Sequence, residues 1–122
     1  MTLFLLLDMS QIECDEFGIP DFPEPPDPRI EETLFDIDES YMDVLEEEFY
    51  KPVNNLCGTI LDMWEQEFFD KNACVKIKPW IEERLASESV PEILIEPYKK
   101  LLEYVARAID LNTGIVIEVP YI

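Results

Sequence analysis

The chain has 122 residues, 48% of them hydrophobic, with 28 acids against 9 bases and a formal net charge of −19. That length suits one packed domain, and the apolar content excludes whole-chain disorder, which needs low hydrophobicity as well as high charge. The chain has no histidine, which removes Ser–His and Cys–His nucleophile activation and the commonest transition-metal ligand.

The charge is unevenly placed. Residues 1–50 hold sixteen acids against Arg29 alone, a net of −15, whereas residues 51–122 hold twelve acids against eight bases, a net of −4. Such asymmetry points to an acidic arm or face joined to a more ordinary scaffold. Solubility alone needs far less charge, so the surplus points to a basic partner.

In chain order, residues 2–7 (Thr-Leu-Phe-Leu-Leu-Leu) suit a buried strand. The stretch has no basic flank, stops at Asp8 and lacks a cleavage motif, so it does not read as a signal peptide. Five prolines fall in the nine residues from Pro20 to Pro28, which excludes a regular helix or central strand there. We expect an extended acidic arm, pinned to the body by Phe17, Ile19 and Phe22. Its acidic flanks argue against a PxxP ligand for an adaptor domain.

From Asp38 the pattern turns helical. Tyr41, Leu45, Phe49, Val53, Leu56, Ile60, Trp64 and Phe68 recur every three or four residues as one apolar stripe. Ser40 with Asp43 suggests a capping box, Pro52 a kink or split, and Asn72 a stop. Pro79 is placed in the first turn of a short helix carrying Trp80, Ile81 and Leu85. Ser89-Val-Pro-Glu92 reads as another start and Pro97 as an interruption. The clearest helix then carries Tyr98, Leu101, Leu102, Val105, Ala106 and Ile109, with Glu103 and Arg107 paired on its far side. Asn112 and Gly114 end it, and residues 115–119 read as a strand that could pair with residues 2–7.

The expected fold is therefore mainly α, a small bundle of about four to five helices with a minor two-stranded sheet formed by the N- and C-terminal segments. Residues 1–122 form a single domain in this scheme. Residues 1–37 supply a strand and the acidic proline-rich arm, and residues 38–122 the helical body and C-terminal strand.

Candidate chemistry is sparse. Gly18, Gly58 and Gly114 stand far apart, so no phosphate-binding loop is present, and Cys14, Cys57 and Cys74 show neither a disulfide nor a zinc spacing. Unpaired thiols suit the reducing cytoplasm, where we place the chain. Asp36-Ile-Asp38-Glu-Ser40 through Glu47 resembles an EF-hand loop at its first, third, fifth and twelfth positions. Tyr41 stands where the sharp turn requires glycine, and the same acids suit a helix start. With 28 acids some pair must lie close, so paired carboxylates carry no catalytic signal. No enzyme activity, metal or cofactor is expected.

The binding candidates are Asp36, Asp38, Glu39, Asp43, Glu46, Glu47 and Tyr50, which a helix would set on one side at neighbour spacings of about 5–6 Å. A dense row of fixed negative charge imitates the phosphate backbone in sign. The expected partner is a basic protein, a nuclease or another nucleic-acid-binding protein. Neither nucleic acid itself nor a membrane fits so acidic a chain with no long apolar run.

In size, acidity, expected helix content and lack of catalytic equipment, the chain is similar to bacterial immunity proteins, which neutralise a cognate basic nuclease toxin. It also looks like phage inhibitors that imitate DNA to block restriction or CRISPR enzymes. The resemblance covers overall character and no motif, so it transfers no residue role. It implies a non-catalytic inhibitor, with the immunity type ahead because the charge is confined to one region. An adaptor subunit docking through the proline-rich arm is the third possibility, and would expose an apolar patch instead.

Overall fold

The computed structural model describes residues 1–8, 12–16, 27–59 and 67–118, with only the backbone of Glu39. The phenylalanines expected to pin the arm, together with Ile60 and Trp64, lie outside these residues. The element order is β1 (Thr2–Leu6), β2 (Ile30–Leu34), a helical segment α1 across 39–57, β3 (Glu67–Phe69), α2 (Lys71–Ala86), α3 (Glu92–Leu111) and β4 (Ile115–Glu118).

This overturns the bundle. The described residues hold three helical segments against a four-stranded antiparallel sheet of order β2-β1-β4-β3. The terminal segments do pair, with Thr2 opposite Glu118 and Leu5 opposite Ile115, but they are the two central strands of the sheet. The remaining strands hid in the sequence for physical reasons. β2, Ile-Glu-Glu-Thr-Leu, buries only Ile30, and β3 is three residues long, too short for a period-2 signal. Phe68, expected on a helix stripe, is in β3.

Prolines account for the other difference. Pro79 lies in the middle of α2 and Pro97 in the second turn of α3, so neither starts nor interrupts a helix as expected. A proline removes one i→i−4 hydrogen bond and crowds the preceding turn. At Pro79 the orphaned carbonyl belongs to the exposed residue Val75, where water can serve it. Pro97 is buried near the helix start. Asp70, not Asn72, marks the boundary of α2, its carboxylate accepting the Ala73 N–H at 2.9 Å as an N-cap. Helix α3 begins after Pro91 and ends at Asn112 in the left-handed region (φ 58).

Helix α1 changes form along its length. A 3-10 turn, Glu39–Tyr41, leads into α-helix Met42–Leu45, a π-helical turn Glu46–Tyr50 and α-helix Lys51–Cys57, which Gly58 closes at φ 69. Pro52 follows the π turn and has no N–H for the Glu48 carbonyl four residues back. The buried Tyr98 hydroxyl donates to that carbonyl instead, at 2.9 Å. Pro52 therefore neither splits the helix nor leaves a buried acceptor bare. The wide turn also shifts the buried face, bringing in Tyr50 beside Leu45, Phe49 and Val53.

One sheet face, with Leu3, Leu5, Phe69, Ile115 and Ile117, packs into the core with the helices. Against it sit Phe49, Trp80 and Tyr98, with Phe49–Tyr98 and Trp80–Tyr98 centroids each 5.8 Å apart and tilted, contacts worth about 0.5–1.5 kcal/mol apiece beyond burial. From α3 the core takes Leu94, Tyr98, Leu101, Tyr104, Val105 and Ala108, while Leu102, Ala106 and Ile109 sit half-buried beside it. The other sheet face groups Phe4, Leu6, Ile30 and Val116, and Ile12 packs onto it. Gly114 permits the close approach of β3, since a Cβ there would meet the Phe69 carbonyl oxygen at 2.5 Å.

Tyr98→Phe should destabilise the fold by about 1–3 kcal/mol in urea melts, the effect of leaving a buried carbonyl without a donor. In a Pro52→Ala background, where residue 52 regains its N–H, the loss should shrink by at least about 0.5 kcal/mol. Equal losses in both backgrounds would show that Tyr98 does not stand in for the missing helical donor.

Candidate functional site

The candidate acids begin where β2 leaves the sheet. Asp36 is exposed, and the exposed Asp38 accepts the Ser40 N–H at 2.8 Å. That bond, together with Asp38 carbonyl to Tyr41 N–H at 3.0 Å, starts the helical segment, so the cap is Asp38 and not a Ser40–Asp43 box. Hydrogen bonds from the Ser40 N–H and the Ser40 side chain hold the Asp38 carboxyl below its ordinary range and keep it ionised. Asp43, Glu46 and Glu47 follow on α1 at three- and four-residue steps, all exposed and opposite the buried Leu45, Phe49 and Val53. The side chain of Glu39 lies outside the described residues.

Two tyrosines exchange their expected places. Tyr50, chosen as a surface anchor, is 3% exposed and belongs to the core because the π turn rotates it inward. Tyr41, placed on the apolar stripe, is 40% exposed and sits among the acids. Residues 36–47 also take no calcium-loop form, being helical from Glu39 onward. Among the described residues no group of three metal-ligating side chains comes together.

The ion pairs sort the acids into two populations. Arg84 holds Glu48 and Arg107 holds Glu31, each at 2.6 Å, tying α1 and β2 to α2 and α3. Arg107 thus reaches across to the sheet and not to Glu103, which pairs with Lys100. Arg29 meets Asp27 through Nε and Nη2 at 2.9 and 2.7 Å, drawing that carboxyl down to about 2. Lys51 takes Glu47. None of the ion pairs among the described residues includes Asp36, Asp38, Asp43 or Glu46. These acids are left as net surface charge around Tyr41, as are the exposed Glu32, Glu83, Glu88, Glu92 and Asp110 elsewhere.

Elsewhere the chemistry is quiet. Burial pushes the Cys74 thiol up to about 12 and raises Cys57 as well, so neither is a ready nucleophile. A shallow groove of about 500 Å³ runs between α2 and α3, lined by Val75, Pro79, Ala106 and Ile109 with Lys78, Glu82 and Asp110. Lys78 and Glu82 occupy each other at 3.0 Å. Sequence reasoning missed two further features of the acidic side. Glu32 is exposed on β2, and Leu34 at its end is 69% exposed. The only signal for them was the weak alternation of residues 30–34. Comparison with protein-family models, curated proteins and solved structures gives no match.

The Glu31–Arg107 contact sets a pH dependence. The guanidinium hydrogen bond holds the Glu31 carboxyl below its ordinary value, so the pair contributes above the unfolded-state pKa and fades as pH falls through the folded one. Arg107→Gln should therefore be slightly less stable than the parent at pH 7, by under about 1 kcal/mol for so exposed a pair. The two should converge in acid. A gap that persists at pH 2 would assign the loss to packing.

Proposed function

We propose that the chain is a non-catalytic binding protein that recognises a basic protein through the surface formed by Asp36, Asp38, Asp43, Glu46 and Glu47 around Tyr41. The observation that supports this is the partition of charge. Arg84 and Arg107 are engaged by the scaffold acids Glu48 and Glu31 and Lys51 by Glu47, while Asp36, Asp43 and Glu46 stay exposed and outside every ion pair of the described residues. Maintaining like charges together destabilises a compact chain, and a complementary partner relieves that repulsion. Exposed Tyr41 supplies an aromatic anchor of the kind enriched at binding hot spots.

The partner class that fits best is a nucleic-acid-acting protein, whose own binding surface is basic. Within that class we favour inhibition of one cognate nuclease, in the manner of an immunity protein, over general imitation of nucleic acid. The net charge is concentrated in residues 1–50, which carry −15 of the −19, where a duplex mimic would spread it over most of its outside. The cytoplasm is the proposed setting: Cys14, Cys57 and Cys74 are all free thiols, and no described helix is long and apolar enough to cross a membrane.

For a partner captured by the wild-type chain, association should slow at least about tenfold between 50 and 500 mM NaCl, over which the Debye length falls roughly threefold. The Asp36→Lys/Asp43→Lys/Glu46→Lys variant should keep its circular dichroism and lose the partner. A nucleic-acid mimic would compete with duplex DNA for several unrelated nucleic-acid-binding proteins, whereas an immunity-type inhibitor should bind essentially one. Binding that is indifferent to salt and to charge reversal would contradict an acidic recognition surface.

A further inference from the structure

The outer edge of β2 has a chemistry of its own. Leu7 donates its N–H to the Arg29 carbonyl and Phe35 to the Met1 carbonyl, each at 2.7 Å, which fixes the alternation of the β1–β2 ladder. Odd-numbered residues of β2 therefore turn their backbone groups toward β1, and Glu32 and Leu34 turn theirs outward. The Ile30 N–H is already engaged by the Asp27 carbonyl at 3.2 Å. β2 is an outermost strand of the sheet, and no strand of the described residues lies beyond it.

Side chains hold this edge in extended form before anything binds. On the helix side, Thr33 Oγ1 and Tyr104 Oη are 2.6 Å apart and Glu31 is held by Arg107. On the opposite side, Glu32 and the 69% exposed Leu34 stand two residues apart in the open. A rigid, outward-facing edge with an exposed leucine is a template for another strand. A second copy of this chain is a poor occupant, because any antiparallel pairing of two β2 strands would crowd the acids at 31, 32, 36 and 38 of both copies along one short edge. The acids at 36 and 38 continue the negative field directly beyond the strand.

We propose that β2 takes up an extended, basic segment of the partner as a fifth strand, hydrogen-bonded to the N–H and C=O of Glu32 and Leu34. The segment places a lysine or arginine opposite Glu32 and, two residues away, an apolar side chain over Leu34. Backbone pairing supplies affinity, and these two positions supply specificity. This rests on the acidic-surface function above and names how the partner engages it.

The test uses the full chain and the capped peptide Thr-Val-Thr-Lys-Thr-Val-Thr-Lys, in which Val and Lys share one face and one hydrogen-bonding edge. Wild-type protein should bind it and slow hydrogen exchange at the Glu32 and Leu34 amides. N-methylation of the Val and Lys amides should weaken binding at least about tenfold, whereas N-methylation of the Thr amides should not. Glu32→Pro removes one outward N–H without touching the β1 ladder, and should weaken binding further than Glu32→Gln, which removes the charge alone. If that variant fails to fold, the methylated pair on wild-type protein decides alone. No binding, or equal binding of both methylated peptides, overturns strand addition. In the second case, loss of binding in the Asp36→Lys/Asp43→Lys/Glu46→Lys variant would leave the acidic-surface function standing. Unchanged binding in that variant would remove both.

Discussion

The hydrogen bond from Tyr98 to the Glu48 carbonyl is the contact on which the exposed surface depends. Pro52 leaves that carbonyl without its helical donor in the middle of α1, next to the aromatic cluster of Phe49, Trp80 and Tyr98. A bare acceptor there would favour fraying of the helix at its most acidic point. With Tyr98 in place, the π turn is held against α3 and its geometry is fixed. Phe49 and Tyr50 both point inward, and Glu46 and Glu47 point out. The same short run of sequence thus supplies core and charge in consecutive residues.

Charge is organised by the same scaffold. The guanidinium groups of Arg84 and Arg107 reach from α2 and α3 to the acids nearest the body and fasten α1 and β2 to it. Exposed pairs like these add little stability each, so their larger effect is positional. They hold the strand and the helix start as adjacent rigid elements, while Asp36, Asp43 and Glu46 face outward outside every ion pair of the described residues. Heavy negative charge on a fixed frame speeds encounter with a basic partner and deters self-association.

Much of this organisation could be read from residues. The apolar stripes at Leu45, Phe49, Val53 and along Tyr98 to Val105, the ends at Asn112 and the two terminal strands all carry local signals. The misreadings have a common cause, which is tertiary compensation. Pro52, Pro79 and Pro97 read as breaks because a sequence does not show that a hydroxyl fifty residues away, or solvent, can serve an orphaned carbonyl. β2 reads as arm because its stabilising contacts, Thr33 with Tyr104 and Glu31 with Arg107, are more than seventy residues distant. Tyr50 was misplaced because one π turn is enough to rotate a helix face. Asp36, Asp38, Asp43, Glu46 and Glu47 are exposed, as charge alone leads one to expect.

The claim that this acidity is a localised recognition surface, and not a general coat, can be tested on the isolated chain. Amide chemical shifts would be followed by NMR while octalysine is titrated in at low salt. We expect the perturbations to concentrate between Glu32 and Glu47 and to vanish at high salt. Comparable perturbations at the exposed Glu82, Glu83, Glu88, Glu92 and Asp110 would show that every acid is equivalent to a cation and would contradict the account.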